Sequence, residues 1–424
     1  MASFSIPLSG LTAAQDQLQS VSNNLANLNT DGFKDQNVSF SDLFAQAGAT
    51  NGSGDPLQTG SGVKIAATDA DFAEGNINAT GTSSNLALSG NGFFVTQGAD
   101  GLQDFTRAGD FTTNNSGQLT TPNGELLLGY PAVGGVVNAA AALQPLQVGS
   151  VNSPAVASTT FQISANLDSG TVVGATAAPS TFAVYDSLGA AHTLSVAYTK
   201  TGTNTWSYSV TVPSADLSTG GPGTTQVATG TLSFNSSGQM VLAGNPPATS
   251  IAITVPPVAN PATTFADGAA PLALAWNLQD AAGNTTISQT ASPSGTNATS
   301  QNGYASGTLT SYSVQPDGTI EGQFSSGKTL ALGQVAVASF ANVQGLAHAG
   351  NTNFQATAAS GTAVIGSAGT GGRGTIVGNS VEQSNVDIAK EFSKLIVAQQ
   401  AYSANAKTIT TFNQVSQATI AMIQ

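Results

Sequence analysis

The sequence predicts a mainly β protein with α-helices at its two ends. The N- and C-terminal helices are expected to pair as a coiled-coil-like bundle, with two β-sandwich-like domains nested between them. Three observations carry this reading. Apolar residues at both chain ends recur in steps of 3 and 4, the seam of a helix that packs on other helices. The long middle alternates short apolar runs with Asn/Gly turns, as the sheets of a sandwich do. Only 7% of the 424 residues are charged and 48 are Gly, far from an average globular composition, so solubility rests on neutral polar groups.

The same numbers exclude several functions. A net charge of −13, with nine Lys plus Arg, argues against nucleic acid, which requires a basic patch, and against a polybasic membrane contact. No run is apolar enough to span a bilayer, so no membrane insertion is expected. Absence of Cys removes disulfides, Cys-based metal sites and Cys nucleophiles. The composition suits an exported protein. The start, Met1 to Pro7, has neither a basic region nor a continuous apolar core, so export without a cleaved leader is expected.

Residues 1–33 are read as the N-terminal helix. Phe4, Leu11, Ala14, Leu18, Val21, Leu25 and Leu28 form its seam. Pro7 is tolerated in a first turn, while Gly10 costs about 1 kcal/mol in a helix interior, which leaves a start near Thr12 as the alternative. Asn29-Thr30-Asp31-Gly32 ends it. Residues 34–70 are read as a linker, with 47–56 of loop composition. A discontinuous inner β-domain takes 71–150 and 301–372. Its runs are Leu86–Leu88, Phe93–Val95, Leu126–Leu128 and, strongest, Leu330–Phe340. An outer β-domain takes 151–300. Thr181–Tyr185, His192–Tyr198 and Trp206–Val212 read as its strands, residues 244–270 are hard to read, and 289–301 look like a polar return crossing. Gly366–Gly374 reads as a hinge.

Residues 380–424 are read as the C-terminal helix. Ser384-Asn385-Val386-Asp387 has the hydroxyl-and-acid spacing of a capping box. Ile388, Phe392, Leu395, Tyr402, Ala406, Ile409, Ile420 and Ile423 continue as a seam without Gly or Pro. Such a helix is roughly 50 Å long and needs a partner to cover its stripe. Residues 4–28 supply one. The pair is either an ordinary hairpin closing one domain or a pair that also packs on neighbouring copies; the pattern leaves both open.

The residues Asn23-Asn24-Leu25-Ala26-Asn27-Leu28-Asn29-Thr30-Asp31-Gly32-Phe33-Lys34 resemble the N-terminal motif of the bacterial flagellar rod, hook and hook-associated proteins. Ser384-Asn385-Val386-Asp387, with Ala398 to Asn405, resembles their C-terminal motif. Val184-Tyr185-Asp186-Ser187-Leu188-Gly189 followed by His192, Gly303 to Leu309, and Leu332 to Asn342 are similar to hook members of that group, which carry the outer domain. The resemblance spans nearly the whole chain and is weakest over 211–299. Gln400 stands where the family often has Arg, and Ser325-Ser326-Gly327 replaces a frequent Ser-Asn-Gly.

This resemblance implies a structural subunit of the flagellar hook. Such subunits leave the cell unfolded through the type III export apparatus and polymerise outside it. The product is a bendable helical tube that joins rod to filament and transmits torque. The implied partners are further copies of the chain, the rod, the hook cap and the hook–filament junction proteins. The terminal helices would be disordered in the free subunit and form the inner tube on assembly. An open helical polymer needs two different complementary faces. Alternatives within the group are a distal-rod or hook-associated protein; in a different class, a secreted adhesin or S-layer-like protein.

No enzyme, cofactor or metal site is expected. His192 and His348 are far apart in sequence and show no Cys, Asp or Glu at ligand spacing. Asp69-Ala70-Asp71 with Glu74-Gly75 lacks the third acid and central Gly of a calcium loop. No Gly-rich stretch fits a phosphate loop.

Overall fold

The computed structural model describes residues 5–43, 46–50, 56–218, 220–244, 247–256 and 264–423, the side chains of 46–50, 56–59 and Ile423 excepted. Phe4 of the expected seam therefore lies outside the described residues. The protein is mostly β, with an α-helix at each end, α1 (Ser5–Ala26) and α2 (Ile388–Ile423). It forms two compact units. One comprises 1–150, 311–322 and 329–424, the other 151–310 and 323–328.

In the first unit the strand Phe93–Gln97 pairs antiparallel with Gln103–Thr106 and with Leu126–Val133. Leu126–Val133 and Phe93–Gln97 both also pair with Thr329–Ser339. This sheet is covered on two faces. Phe94, Leu127, Val335 and Val337 join one buried cluster, with Leu86, Leu88, Phe111 and Ile320. Phe93, Val95, Leu128, Ala336 and Ala338 join another, with Phe105 and Phe354. Burial on both faces is why these strands read as continuous apolar runs rather than alternating ones.

The second unit is a sandwich around one core. Ser180–Tyr185, Ala191–Gly202, Thr205–Pro213 and Thr224–Phe234 form an antiparallel meander. Thr160–Asp168 is central to a second sheet, parallel to Leu272–Asn277 and Ile287–Thr290. Phe161, Ile163, Leu194, Val196, Trp206, Val210 and Trp276 fill the space between the sheets. The alternation of buried and half-buried residues along Thr205–Pro213 is the period of 2 that its sequence shows.

Several expectations are revised. The stretch 34–70, expected as a linker, carries the antiparallel pair Gln36–Asp42 with Val63–Ala70 and the hairpin strands Gln46–Thr50 and Pro56–Thr59; residues 51–55 lie outside the described ones. Gln36–Asp42 and Val63–Ala70 are mostly exposed or half-buried, so little hydrophobic patterning marks them. The polar segment 295–301 is not a crossing but an edge strand, antiparallel to Thr160–Asp168. Its side chains are mostly exposed; backbone pairing places it, helped by Thr296 Oγ1 bonding Ser180 Oγ and by Gln301 Oε1, which accepts from Ser158 Oγ at 2.9 Å. In the unreadable stretch, Ser250–Val255 pairs with Leu272–Asn277. The Gly-rich "hinge" is built into the fold: Val364–Ser367 pairs with Thr329–Ser339, and Thr375–Gly378 with Leu86–Ser89. Arg373 Nε donates to Ser367 O across the turn between them at 3.1 Å.

Candidate assembly site at the terminal helices

The two helices run antiparallel. Gly10 of α1 lies against the amide of Asn405; a Cβ there would sit 2.9 Å from Asn405 Nδ2. Further along, Asn24 Nδ2 donates to Glu391 Oε2 at 3.1 Å. Gly10 thus permits close approach of the partner helix, and the helix starts at Ser5 rather than Thr12. Among the described residues the helix start at Ile388 is capped by Asp387, whose Oδ1 accepts from the amides of Ala389 at 2.8 Å and Lys390 at 3.2 Å. The cap is therefore one short acid next to the helix, not Ser384, whose Oγ accepts from Val386 N at 3.4 Å.

The expected seam residues divide into two sets. Val21 is buried, and Leu11, Leu18, Leu25 and Leu28 are half-buried, Leu28 beyond the end of α1. On α2, Leu395 and Ile409 are half-buried, while Ile388, Phe392, Tyr402 and Ile420 are exposed. The α2 residues turned inward are instead Glu391 and Ala398, both buried. The correction has a simple cause. A stripe that includes small and polar residues faces α1, the other α-helix among the described residues. Ile396 and Val397 face away from it, Val397 62% exposed, and Val415, Ile420 and Met422 lie past the start of α1, Met422 80% exposed. Periodicity detects an apolar stripe but not which stripe meets which neighbour.

At the base of the helices the two sequence motifs meet. Asn24 is fully buried. Its Nδ2 also donates to Asp35 Oδ1 and, at 2.9 Å, to Gln36 O. Its Oδ1 accepts from Gln36 N at 3.0 Å. Asn385 Oδ1 accepts from Asp35 N at 2.8 Å, and its Nδ2 donates to Asp71 O at 2.7 Å. Gly32 N donates to Glu382 O at 2.7 Å. Glu382 is the hub beneath. Its carboxylate accepts from Lys34 Nζ at 2.5 Å, from Arg107 at 3.1 Å and from Gly75 N at 2.8 Å. Burial pushes the Lys34 ammonium below its ordinary value, and Glu382 opposes that. Lys394 completes the site, donating to Glu391 Oε1 at 2.5 Å and to Asn37 Oδ1 at 2.6 Å.

The remaining motif residues shape the turn. Asn27 Nδ2 donates to Asn23 O at 2.9 Å, and Thr30 Oγ1 to Asn27 Oδ1 at 3.1 Å. Ala26 is the last residue of α1. Gly32 has φ +69°, and a Cβ there would lie 2.3 Å from Ala108 N. Phe33 O accepts from Asn385 N at 3.4 Å, and Val386 is buried at 8% exposure. Glu382, Arg107 and Glu391 were not singled out from the sequence. A lone charge in an apolar-poor region gives no sign of burial, although in a chain with so few charges each is a fair candidate.

Four family descriptions match. "Flagella basal body rod protein" matches residues 6–34, "Flagellar hook protein FlgE/F/G D1 domain" 87–173, "Flagellar basal body protein FlaE D2 domain" 156–304, and "Flagellar basal body rod FlgEFG protein C-terminal" 377–422. The flagellar hook protein FlgE of Escherichia coli (strain K12) is 35% identical over 97% of this chain and 98% of its own. That of Treponema pallidum (strain Nichols) is 33% identical over 95% and 96%. The fold is similar to the crystal structure of Helicobacter pylori flagellar hook protein FlgE2, with a TM-score of 0.53 at 15% identity, covering 72% of this chain and 100% of that one. Full-length identity to hook proteins, joined to the two terminal motifs that meet at Glu382 and Asn24, places the chain in the flagellar hook protein family.

Proposed function

We propose that this chain is the structural subunit of a flagellar hook and that its terminal helices form the inner wall of a homopolymeric tube. The observation that carries this reading is the uncovered apolar surface of α2, with Ile388, Phe392, Ile396, Val397, Val415, Ile420 and Met422 all exposed. Constant antiparallel register past Gly10–Asn405 leaves the last turns of α2 beyond the start of α1. Leaving that much apolar surface in water is unfavourable by roughly 25 cal/mol per Å². Packing against α1 and α2 of neighbouring copies removes it from water, and such heterologous contacts propagate a helical polymer.

The β units supply an outer surface of neutral polar side chains. Weak polar contacts between neighbouring copies exchange at low cost, which suits a joint that bends while it transmits torque. Its partners on this reading are the rod, the hook cap, the hook–filament junction proteins and the type III export apparatus, with assembly outside the cell. Among the described residues no helix is long and apolar enough to cross a membrane. The hook relatives favour this over a distal-rod protein or an adhesin.

The test is a chain ending at Thr410, which keeps the contacts of α1 with Asn405 and Glu391. It should fold as the full chain does and form no tubes under the electron microscope. Tube formation by the shortened chain overturns the proposal. Cutting at residue 380 would be less informative, because it also removes buried Glu382.

A further inference from the structure

In the second unit, His192 is buried at 5% exposure and both of its ring nitrogens meet carboxylates. Nε2 lies 3.1 Å from Asp186 Oδ2, and Nδ1 lies 3.1 Å from Asp216 Oδ2. A neutral imidazole carries one N–H, so it satisfies one of these contacts and turns a lone pair on the other. The second side is satisfied either by a second proton on the ring or by a metal ion on the bare nitrogen. The Nε2 side has a third group. Asp267, on the loop before Leu272–Asn277, brings its carboxyl beside Asp186 and His192. One ligand atom from each of Asp186, His192 and Asp267 lies within 4.8 Å of the others. Two carboxylates sharing one place with an imidazole nitrogen repel unless one keeps a proton or a cation lies between them; a cation serves all three groups at once.

We propose that Asp186, His192 and Asp267 hold a divalent metal ion of the zinc class. Imidazole with two carboxylates is a donor set for zinc or manganese, and three protein ligands leave a fourth position for water. Bonds of about 2.1 Å in a tetrahedron put ligand atoms about 3.4 Å apart, close to the 3.1 Å between Nε2 and Asp186 Oδ2.

The surroundings orient each ligand. Asp186 Oδ1 accepts from the amides of Leu188 at 2.8 Å and Ala190 at 2.9 Å, leaving Oδ2 for the ion. Asp267 Oδ1 accepts from Ala269 N at 3.0 Å, leaving its other oxygen. Asp216 takes the remaining ring N–H, the carboxylate–histidine–metal arrangement that fixes the tautomer and raises ligand basicity. Phe265 stacks on the ring at 4.3 Å, with planes 25° apart, and shields it. The ion ties the 186–192 turn to the 264–271 loop, and Asp216 brings in the turn at Ser214–Asp216. It is a cross-link in a chain that has no Cys.

The test is calorimetric titration of the chelator-stripped full chain with Zn²⁺ and, separately, Mn²⁺, with the melting temperature read alongside. Wild type should bind one ion per chain and melt higher with it. Asp267→Asn should weaken binding at least tenfold and lose the metal-dependent rise. Its metal-free melting temperature should match wild type, because Asp267 is exposed. Asp216→Asn should weaken binding about 10–100-fold as an orienting group, and His348→Gln should change nothing. Absence of saturable one-to-one binding overturns the proposal. So does binding that Asp267→Asn leaves intact, since the ion would then lie away from these three residues.

Discussion

Asn24 of the first helix and Glu391 of the last are joined by a buried hydrogen bond of 3.1 Å across 367 positions of chain. The same amide nitrogen serves Asp35 and Gln36 O, so one side chain closes the base of the helix pair. Asn24→Leu leaves both carboxylates and the Gln36 amide without it. An unsatisfied buried group costs about 1–3 kcal/mol, more when charged. Urea unfolding of Asn24→Leu should show a loss of at least about 2 kcal/mol. A loss below 0.5 kcal/mol, the ordinary effect of a surface change, would mean that the network is not coupled.

Gly32 should be nearly irreplaceable. Its φ is +69°, and a Cβ would meet backbone, at 2.3 Å from Ala108 N and 2.6 Å from Arg107 C. Backbone cannot rotate away as a side chain can. Gly32→Ala should destabilise the first unit by about 2–3 kcal/mol through left-handed strain and overlap together, read as a lower urea midpoint. Gly81, also left-handed at +73° but with open space around it, is the control, and Gly81→Ala should cost about 1 kcal/mol.

Asp35 gives a pH signature. Burial raises its pKa above the ordinary 3.8; Lys394 opposes this, and Glu391 adds to it. The native state then holds a proton more tightly than the unfolded chain. Stability from this group is present below the ordinary value and is lost as pH rises through the folded value. Asp35→Asn removes that slope. The difference in unfolding free energy between variant and wild type should shift in favour of the variant as pH rises from 3.8 upward. A difference that stays flat with pH would contradict the assignment.

Phe392 and Ala398 separate folding from assembly. Phe392 is 48% exposed, whereas Ala398 is fully buried on the helix that packs on α1. Phe392→Ser should leave the monomer's melting unchanged within about 0.5 kcal/mol yet abolish polymerisation followed by light scattering. Ala398→Leu should do the reverse in order, destabilising the monomer by about 1–3 kcal/mol through overpacking. A Phe392→Ser chain that polymerises normally would remove this residue from the assembly face.

The sequence by itself determined the class of fold, the two terminal helices and the strands whose apolar runs or alternation mark them, such as Thr329–Ser339 and Thr205–Pro213. Those features are local: a period of 3.6 or 2 and a turn residue are written within a few positions. Tertiary structure alone decided the rest. It set which face of α2 meets α1, because the choice depends on Gly10, Ala398 and Asn405 being small or polar enough for close approach. It placed the polar strand 295–301 through backbone pairing and a few hydroxyl and amide contacts, which leave no apolar pattern in the sequence. It gathered Lys34, Arg107 and Glu382 into one buried cluster, and Asp186, His192, Asp216 and Asp267 into another. Charges distant in sequence carry no local period, and only the folded chain brings them within bonding distance.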